Sequence, residues 1–238
     1  AAAVVAGALS LEDGARVSAL RSRALDAIAG EGGMVSLGLS AERAEQLLTP
    51  WADRISVAAY NSPTTTVVAG DSDALAELLA TCERDGVRAR AIPVDYASHS
   101  PHIERLRDRL LDVLAGISPQ APRIPMFSTV TGDWLTTPPD TAYWYTNLRQ
   151  PVLLTRALEA LHEAGHTHFV ETSPHPVLVP AVEETLDTAV TVPTLRRDEG
   201  DRRRLLTSLA HAWTTGLTVD WTTAIPRGRR VELPTYPF

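Results

Sequence analysis

The sequence predicts an α/β protein in which a small βαββαβ unit interrupts a larger body built on a parallel sheet. Strands and helices alternate along most of the 238 residues, and alternation at this spacing is the pattern of a parallel sheet covered by helices on both faces. Between them, strand-helix-strand-strand-helix-strand is compressed into about 60 residues, the order of a ferredoxin-like unit. With 44% apolar and 21% charged residues and a formal charge of −7, the chain has the composition of a globular domain with a sizeable core and no pull towards nucleic acid. All 22 basic residues are Arg, which says little about function. The lone Cys82 cannot build a disulfide framework, so a reducing, cytoplasmic setting is expected. No run approaches the roughly 18 apolar residues of a membrane span, and no basic stretch with a cleavage site marks the start.

Ser10-Leu11-Glu12-Asp13 reads as a capped helix start, and the glycines Gly30, Gly32 and Gly33 stop that helix. The compressed unit follows: a strand at 34–39, a helix at 41–48, strands at 55–60 and 65–69, a helix at 72–84 and a strand at 87–94, with Asn61-Ser62-Pro63-Thr64 as the middle turn. After it, Ser100-Pro101 caps a helix carrying Ile103, Leu106, Leu110 and Val113 at core spacing. A strand near 124–130, a turn at 131–133, helices near 141–148 and 152–164, and a strand at 168–171 complete the body. The domains expected are 1–32, large subdomain; 33–95, small ferredoxin-like subdomain; 96–193, large subdomain continued; and 194–238, a linker. That linker holds a charged stretch at 196–200, a short helix near 203–215 and the aromatic-anchored ending Leu233-Pro234-Thr235-Tyr236-Pro237-Phe238. The opening Ala1–Gly7 lacks an initiator Met and begins inside an apolar run, as a chain cut within an element would.

On a helical wheel Val17, Leu20, Ala24 and Ile28 form one apolar face, and Arg21 falls inside it. A guanidinium cannot be neutralised at accessible pH, so one aimed inward needs an acidic partner. That partner is an internal Asp or Glu, or a substrate carboxylate, unless the side chain snorkels out. His99 ends the loop Asp95-Tyr96-Ala97-Ser98-His99, just before the helix that Ser100 begins. The positive end of that helix would keep it a neutral base, though a histidine in such a place can equally cap or pack. His102 reads as structural. The pair His166 and His168 lacks a third ligand, so no metal site is expected. Ser173-Pro174-His175-Pro176 reads as a rigid turn. No Gly-x-Ser-x-Gly, phosphate loop or dinucleotide fingerprint occurs.

Taken together, Ala1–Gly7 with Leu9-Ser10-Leu11-Glu12-Asp13, Leu20-Arg21-Ser22-Arg23, Tyr60-Asn61-Ser62-Pro63, Tyr96-Ala97-Ser98-His99-Ser100-Pro101-His102 and Trp144-Tyr145-Thr146-Asn147-Leu148-Arg149-Gln150-Pro151-Val152 resemble the acyltransferase domain of modular type I polyketide synthases, related to malonyl-CoA:acyl-carrier-protein transacylases. The resemblance implies an α/β-hydrolase-like large subdomain with a ferredoxin-like insertion. It implies that Arg21 pairs with the free carboxylate of an extender unit, that His99 is the catalytic histidine, and that a main-chain carbonyl at Asn147 orients it. Tyr96 and Ser98 fall in the pattern of methylmalonyl-selective members, Ser98 leaving room for an α-methyl group. The implied reaction is ping-pong transfer of methylmalonyl from CoA to the phosphopantetheine thiol of an acyl carrier protein, with no metal or redox cofactor. The implied setting is a homodimeric synthase with an adjacent ketosynthase, no membrane and no nucleic acid. The family's Gly-His-Ser-x-Gly elbow would lie just upstream of Ala1, so the 238 residues alone are expected to be inactive. Two other readings remain: a non-catalytic scaffold between synthase domains, and a hydrolase of carrier-bound acyl groups. An arginine placed for a free carboxylate favours dicarboxylic transfer over the hydrolase.

Overall fold

The computed structural model describes residues 1–225 together with Gly228 and Glu232. It opens with a one-turn helix α1 (Ala2–Val5) and the long α2 (Leu11–Leu25), prolonged by a 3-10 turn over Asp26–Ile28. Ser10 starts α2 as the sequence predicts: its hydroxyl accepts from the Asp13 N–H at 3.0 Å, satisfying one of the orphan donors of the first turn. Ala24 and Ile28 then pack against Ile103, Leu106, Leu110 and Leu148, while Val17 joins Ala3, Ala8, Leu9 and Leu114. The apolar face of α2 is therefore buried against two different clusters, and both flank the site described below.

The compressed unit forms in the order read, with shifted bounds: Gly32 and Gly33 open its first strand instead of ending the helix before it, and Asn61 and Ser62 belong to a strand and not to the turn. Strand β1 (Gly32–Leu37), helix α3 (Ala41–Leu48), strands β2 (Ile55–Ser62) and β3 (Thr65–Asp71), helix α4 (Ser72–Arg84) and strand β4 (Ala89–Ile92) make a sheet of order β4-β1-β3-β2, antiparallel at every one of these pairings. Alternation along the strands gives the sheet two apolar faces. Val35, Leu37, Ile55 and Val68 meet Ala44 and Leu48 of α3 and Leu75, Leu78 and Cys82 of α4. Met34, Ala59, Val67 and Ala69 look the other way, onto Ala97. The loop carrying Tyr96 to His99 is thereby seated on the sheet.

Close backbone approach makes this seat possible. A Cβ on Gly70 would lie 2.1 Å from the Arg54 carbonyl oxygen, and one on Gly32 would lie 2.9 Å from the Ala97 Cβ. Gly70→Ala is expected to cost about 1–3 kcal/mol through overpacking against backbone that cannot yield cheaply. The urea midpoint of the variant against that of the parent reads this, and an unchanged midpoint would show that β2 and β3 can separate without loss.

Beyond the unit, the helix expected after Ser100 is divided into a 3-10 segment (Pro101–Leu106) and α5 (Arg107–Val113). The strand expected over 124–130 shrinks to β5 (Phe127–Ser128), which turns through Gly132, at φ +67°, into β6 (Asp133–Trp134). Helix α6 (Thr141–Arg149) starts on Asp140, whose carboxylate accepts from Tyr143 N–H. The helix expected from Val152 starts later: Val152 and Leu153 form β7, parallel to β2 through Ala59 and Tyr60, before α7 (Leu154–Glu163). Pro151 favours an extended residue before it, and the two apolar residues that follow use the open edge of β2.

Residues 1–166 with 181–187 form one compact unit, and residues 167–180 with 188 onward a second. In the second, β8 (His168–Glu171) pairs in parallel with β9 (Val190–Pro193), and helix α9 (Arg202–Thr214) and a last turn α10 (Trp221–Ala224) follow. In the order of the chain α8 (Val179–Thr185) lies between β8 and β9, with most of its residues in the first unit. The ending Leu233–Phe238 lies outside the described residues. Among the described residues no helix is long and apolar enough to cross a membrane.

Candidate active site

The loop after β4 is tied down on several sides. Gly30 N–H donates to the Asp95 carbonyl at 2.7 Å, the Ser100 hydroxyl donates to the Ala97 carbonyl at 2.7 Å, and His99 N–H donates to the Leu148 carbonyl at 2.8 Å. These bonds hold His99 at φ +58°, a left-handed conformation that a β-carbon disfavours and that persists where the surroundings over-determine it. Its ring is fixed as well: Nδ1 lies 2.7 Å from the Gln150 carbonyl oxygen. A carbonyl only accepts, so Nδ1 carries the proton and Nε2 keeps its lone pair.

Burial holds the His99 imidazole below its ordinary pKa, the Gln150 carbonyl acts in the opposite direction, and the nearby Arg21 charge adds to the depression. The helix end expected to do this is here only a short 3-10 segment, and burial is the larger cause. His99 is thus a neutral base near pH 7.

Arg21 points inward from α2 as its wheel position predicts. Its Nη1 donates to Oδ1 of Asn147 at 2.8 Å. Burial lowers its pKa, against the smaller influence of the Tyr96 and Tyr143 phenols. Arg21, Tyr96, Ser98, His99, Trp144 and Leu148 line a single cavity of about 450 Å³. Ser98 sits in its wall at 8% exposure and donates its hydroxyl to the Met34 sulfur at 3.2 Å.

The expectation that the Asn147 carbonyl orients His99 is corrected: that carbonyl belongs to Gln150, and Asn147 instead holds Arg21 through its side chain. The reason is local. Asn147 lies within α6, whereas Gln150 leaves the helix at φ −85°, ψ 154°, the extended conformation that a following proline demands. Its carbonyl is turned out of the helix. The Gln150-Pro151 pair was the available signal for this, and nothing in the periodicity of β1 pointed to Met34.

Other histidines have other work. His102 Nε2 lies 2.7 Å from Asp71 Oδ1, tying the segment after His99 to the end of β3. The two ring nitrogens of His168 face the Thr167 hydroxyl and the Thr215 carbonyl, and the His166 ring lies against Trp134. In the 173–176 turn, the Ser173 hydroxyl donates to Glu171, which also accepts from the N–H groups of Val177, Leu178 and Val179. Burial would raise the Glu171 pKa, but these donors outweigh it and leave it lowered. That carboxylate starts α8 and reads as structural.

Comparison with known proteins gives a consistent picture. A family model described as acyl transferase domain matches residues 1–219. The whole chain is 53% identical over 238 residues to erythronolide synthase of Saccharopolyspora erythraea, and it spans 7% of that much longer protein. The crystal structure of the acyltransferase domain from module 8 of the salinomycin polyketide synthase superposes with a TM-score of 0.91 at 54% identity, covering 93% of this chain and 53% of that one. The malonyl-CoA:acyl carrier protein transacylase of Xanthomonas oryzae superposes with a TM-score of 0.75 at 29% identity, over 82% of this chain and 65% of that one. These likenesses bear out the α/β class of two-subdomain fold.

Proposed function

The chain belongs to the acyl transferase domain family, and from that premise we propose that it transfers a methylmalonyl unit from CoA to the phosphopantetheine thiol of an acyl carrier protein. One observation carries this reading: a single cavity holds a histidine whose Nδ1 is bound to a carbonyl and an arginine that, among the described residues, pairs with an amide and not with a carboxylate. The histidine suits proton transfer, and the arginine suits an acyl group that itself bears a carboxylate.

In the proposed sequence a serine gives its proton to His99 Nε2 as its oxygen attacks the thioester carbonyl. The carbon–sulfur bond breaks, and CoA leaves with the proton from His99. The carrier thiol then gives its proton to His99, its sulfur attacks the acyl-serine ester, and the serine oxygen leaves with that proton. Arg21 grips the free carboxylate in both halves. The balance needs no metal or redox group. Residues 1–238 hold no serine in a Gly-x-Ser-x-Gly context, so this reading takes the nucleophile from the parent chain and expects these residues alone to be inactive. A carrier protein, an adjacent ketosynthase and a homodimeric, cytoplasmic synthase are the partners and setting that go with it.

Selectivity for the α-methyl group is proposed to lie with Tyr96 and Ser98. Ser98 is small and lines the cavity, with its hydroxyl bonded to the Met34 sulfur. Ser98→Phe is expected to shift the methylmalonyl-to-malonyl loading ratio towards malonyl by about 10- to 200-fold, the worth of one methyl contrast. The reading is tested by mixing the parent domain with both thioesters together and following acylation by protein mass. Preferential malonyl labelling of the parent would overturn the specificity, and no adduct from either would overturn the transfer.

A further inference from the structure

Arg21 is a half-buried guanidinium held by a neutral amide. Nη1 donates to Asn147 Oδ1 at 2.8 Å, and among the described residues Arg21 takes part in none of the ion pairs. A carboxylate at position 147 would hold the fork equally well, being the same shape, but would cancel its charge. An amide oxygen does only the first of these things. The element that carries Asn147 also fixes the base: the Leu148 carbonyl takes the His99 N–H, and the Gln150 carbonyl takes the His99 ring proton. The last turn of α6 is itself anchored, by buried Leu148 and by Arg149, which places two donors on Glu104. Residues 147–150 therefore set the distance between the cation and the base.

We propose that Asn147 is a positioning residue that orients Arg21 without neutralising it, so that preference for an acyl group bearing a free carboxylate depends on an uncharged acceptor at 147. This rests on the transferase reading above. It separates two properties that a plain packing role would keep together, because the isosteric charged residue should be worse than truncation. Asn147→Asp keeps the shape and the hydrogen bond but pairs Arg21 internally. Asn147→Ala loses the orientation and keeps the charge.

The test uses the parent chain and its Asn147→Asp and Asn147→Ala variants, with methylmalonyl-CoA and propionyl-CoA as separate substrates. Propionyl-CoA is the same thioester without the free carboxylate. The expected result is a fall of about ten-fold or more in the methylmalonyl-to-propionyl ratio of kcat/KM for Asn147→Asp, carried mainly by KM, and a smaller fall for Asn147→Ala. Equal losses on both thioesters, or an Asp variant as selective as the parent, would overturn the proposal. Melting temperatures show whether each variant folds; should the Asp variant not fold, the Ala variant decides, a loss confined to kcat counting against the proposal and one carried by KM for it. A parent chain that does not prefer methylmalonyl-CoA to propionyl-CoA would overturn the transferase reading itself, a result distinct from all of these.

Discussion

Arg21→Ala in the parent chain is expected to lower methylmalonyl loading by roughly 30- to 4,000-fold, the equivalent of about 2–5 kcal/mol for removing one member of a buried, hydrogen-bonded charge pair. The size follows from where the side chain sits. Arg21 lies inside the apolar face of α2 and lines the same cavity as His99, so a carboxylate entering that cavity gives up part of its water and, among the described residues that line it, meets no other guanidinium. Removing Arg21 strands that carboxylate, and also strands the Asn147 amide oxygen that now accepts from it. Arg21→Lys restores charge but not the planar fork, and should recover only part of the loss. Propionyl-CoA, with no carboxylate to strand, should lose far less. Single-turnover acylation followed by mass, with the two thioesters in parallel, reads the difference; equal losses on both would mean that Arg21 supports the fold and does not select the substrate.

The small subdomain was legible in the sequence because each of its signals is local. Strand alternation and the turn expected between the two middle strands each specify their element from a few neighbouring residues, and the whole unit closes within a short span of chain. The body was less legible because its strands depend on partners far away. Val152 and Leu153 continue an apolar run that reads as helix, and only the open edge of β2, more than ninety residues earlier, makes them strand β7. Residues 190–193 likewise become β9 only beside β8. The division of 101–113 into a 3-10 segment and a helix leaves no trace in the spacing of Ile103, Leu106 and Leu110, since these are buried in either form.

The site divides in the same way. Arg21 could be found from its angle on a helical wheel, because a permanent charge on an apolar face is a conflict that something must resolve. His99 could be placed at a loop-to-helix junction, but its left-handed backbone could not, since the bonds that impose it come from residues 148 and 150. Asn147 was drawn into the site from resemblance and given the wrong bond. Helix geometry decides the matter: a residue four positions before this proline is still helical, and the one next to it is not.

Loss of the proposed base is expected to have the other large effect. His99→Asn is the informative change, because Asn tolerates the left-handed backbone and cannot act as a base, so the loop is expected to keep its shape. Methylmalonyl loading should fall about 10²- to 10⁴-fold, in the rate and not in KM. The parent enzyme also has a defined pH behaviour. On the proposed mechanism the working form of His99 is the neutral one, and burial together with the Arg21 charge lowers its pKa. Protonation therefore sets in at lower pH than for an ordinary histidine near 6.5, and loading should persist below that pH before it fails. Arg21→Lys keeps the positive charge and should leave the limb depressed, whereas Arg21→Ala removes one cause of the depression and should move it upward, measured with propionyl-CoA so that carboxylate binding does not intrude. A limb at or above 6.5 in the parent enzyme, or one that stays put in Arg21→Ala, would mean that the group titrating is not a half-buried histidine facing this arginine.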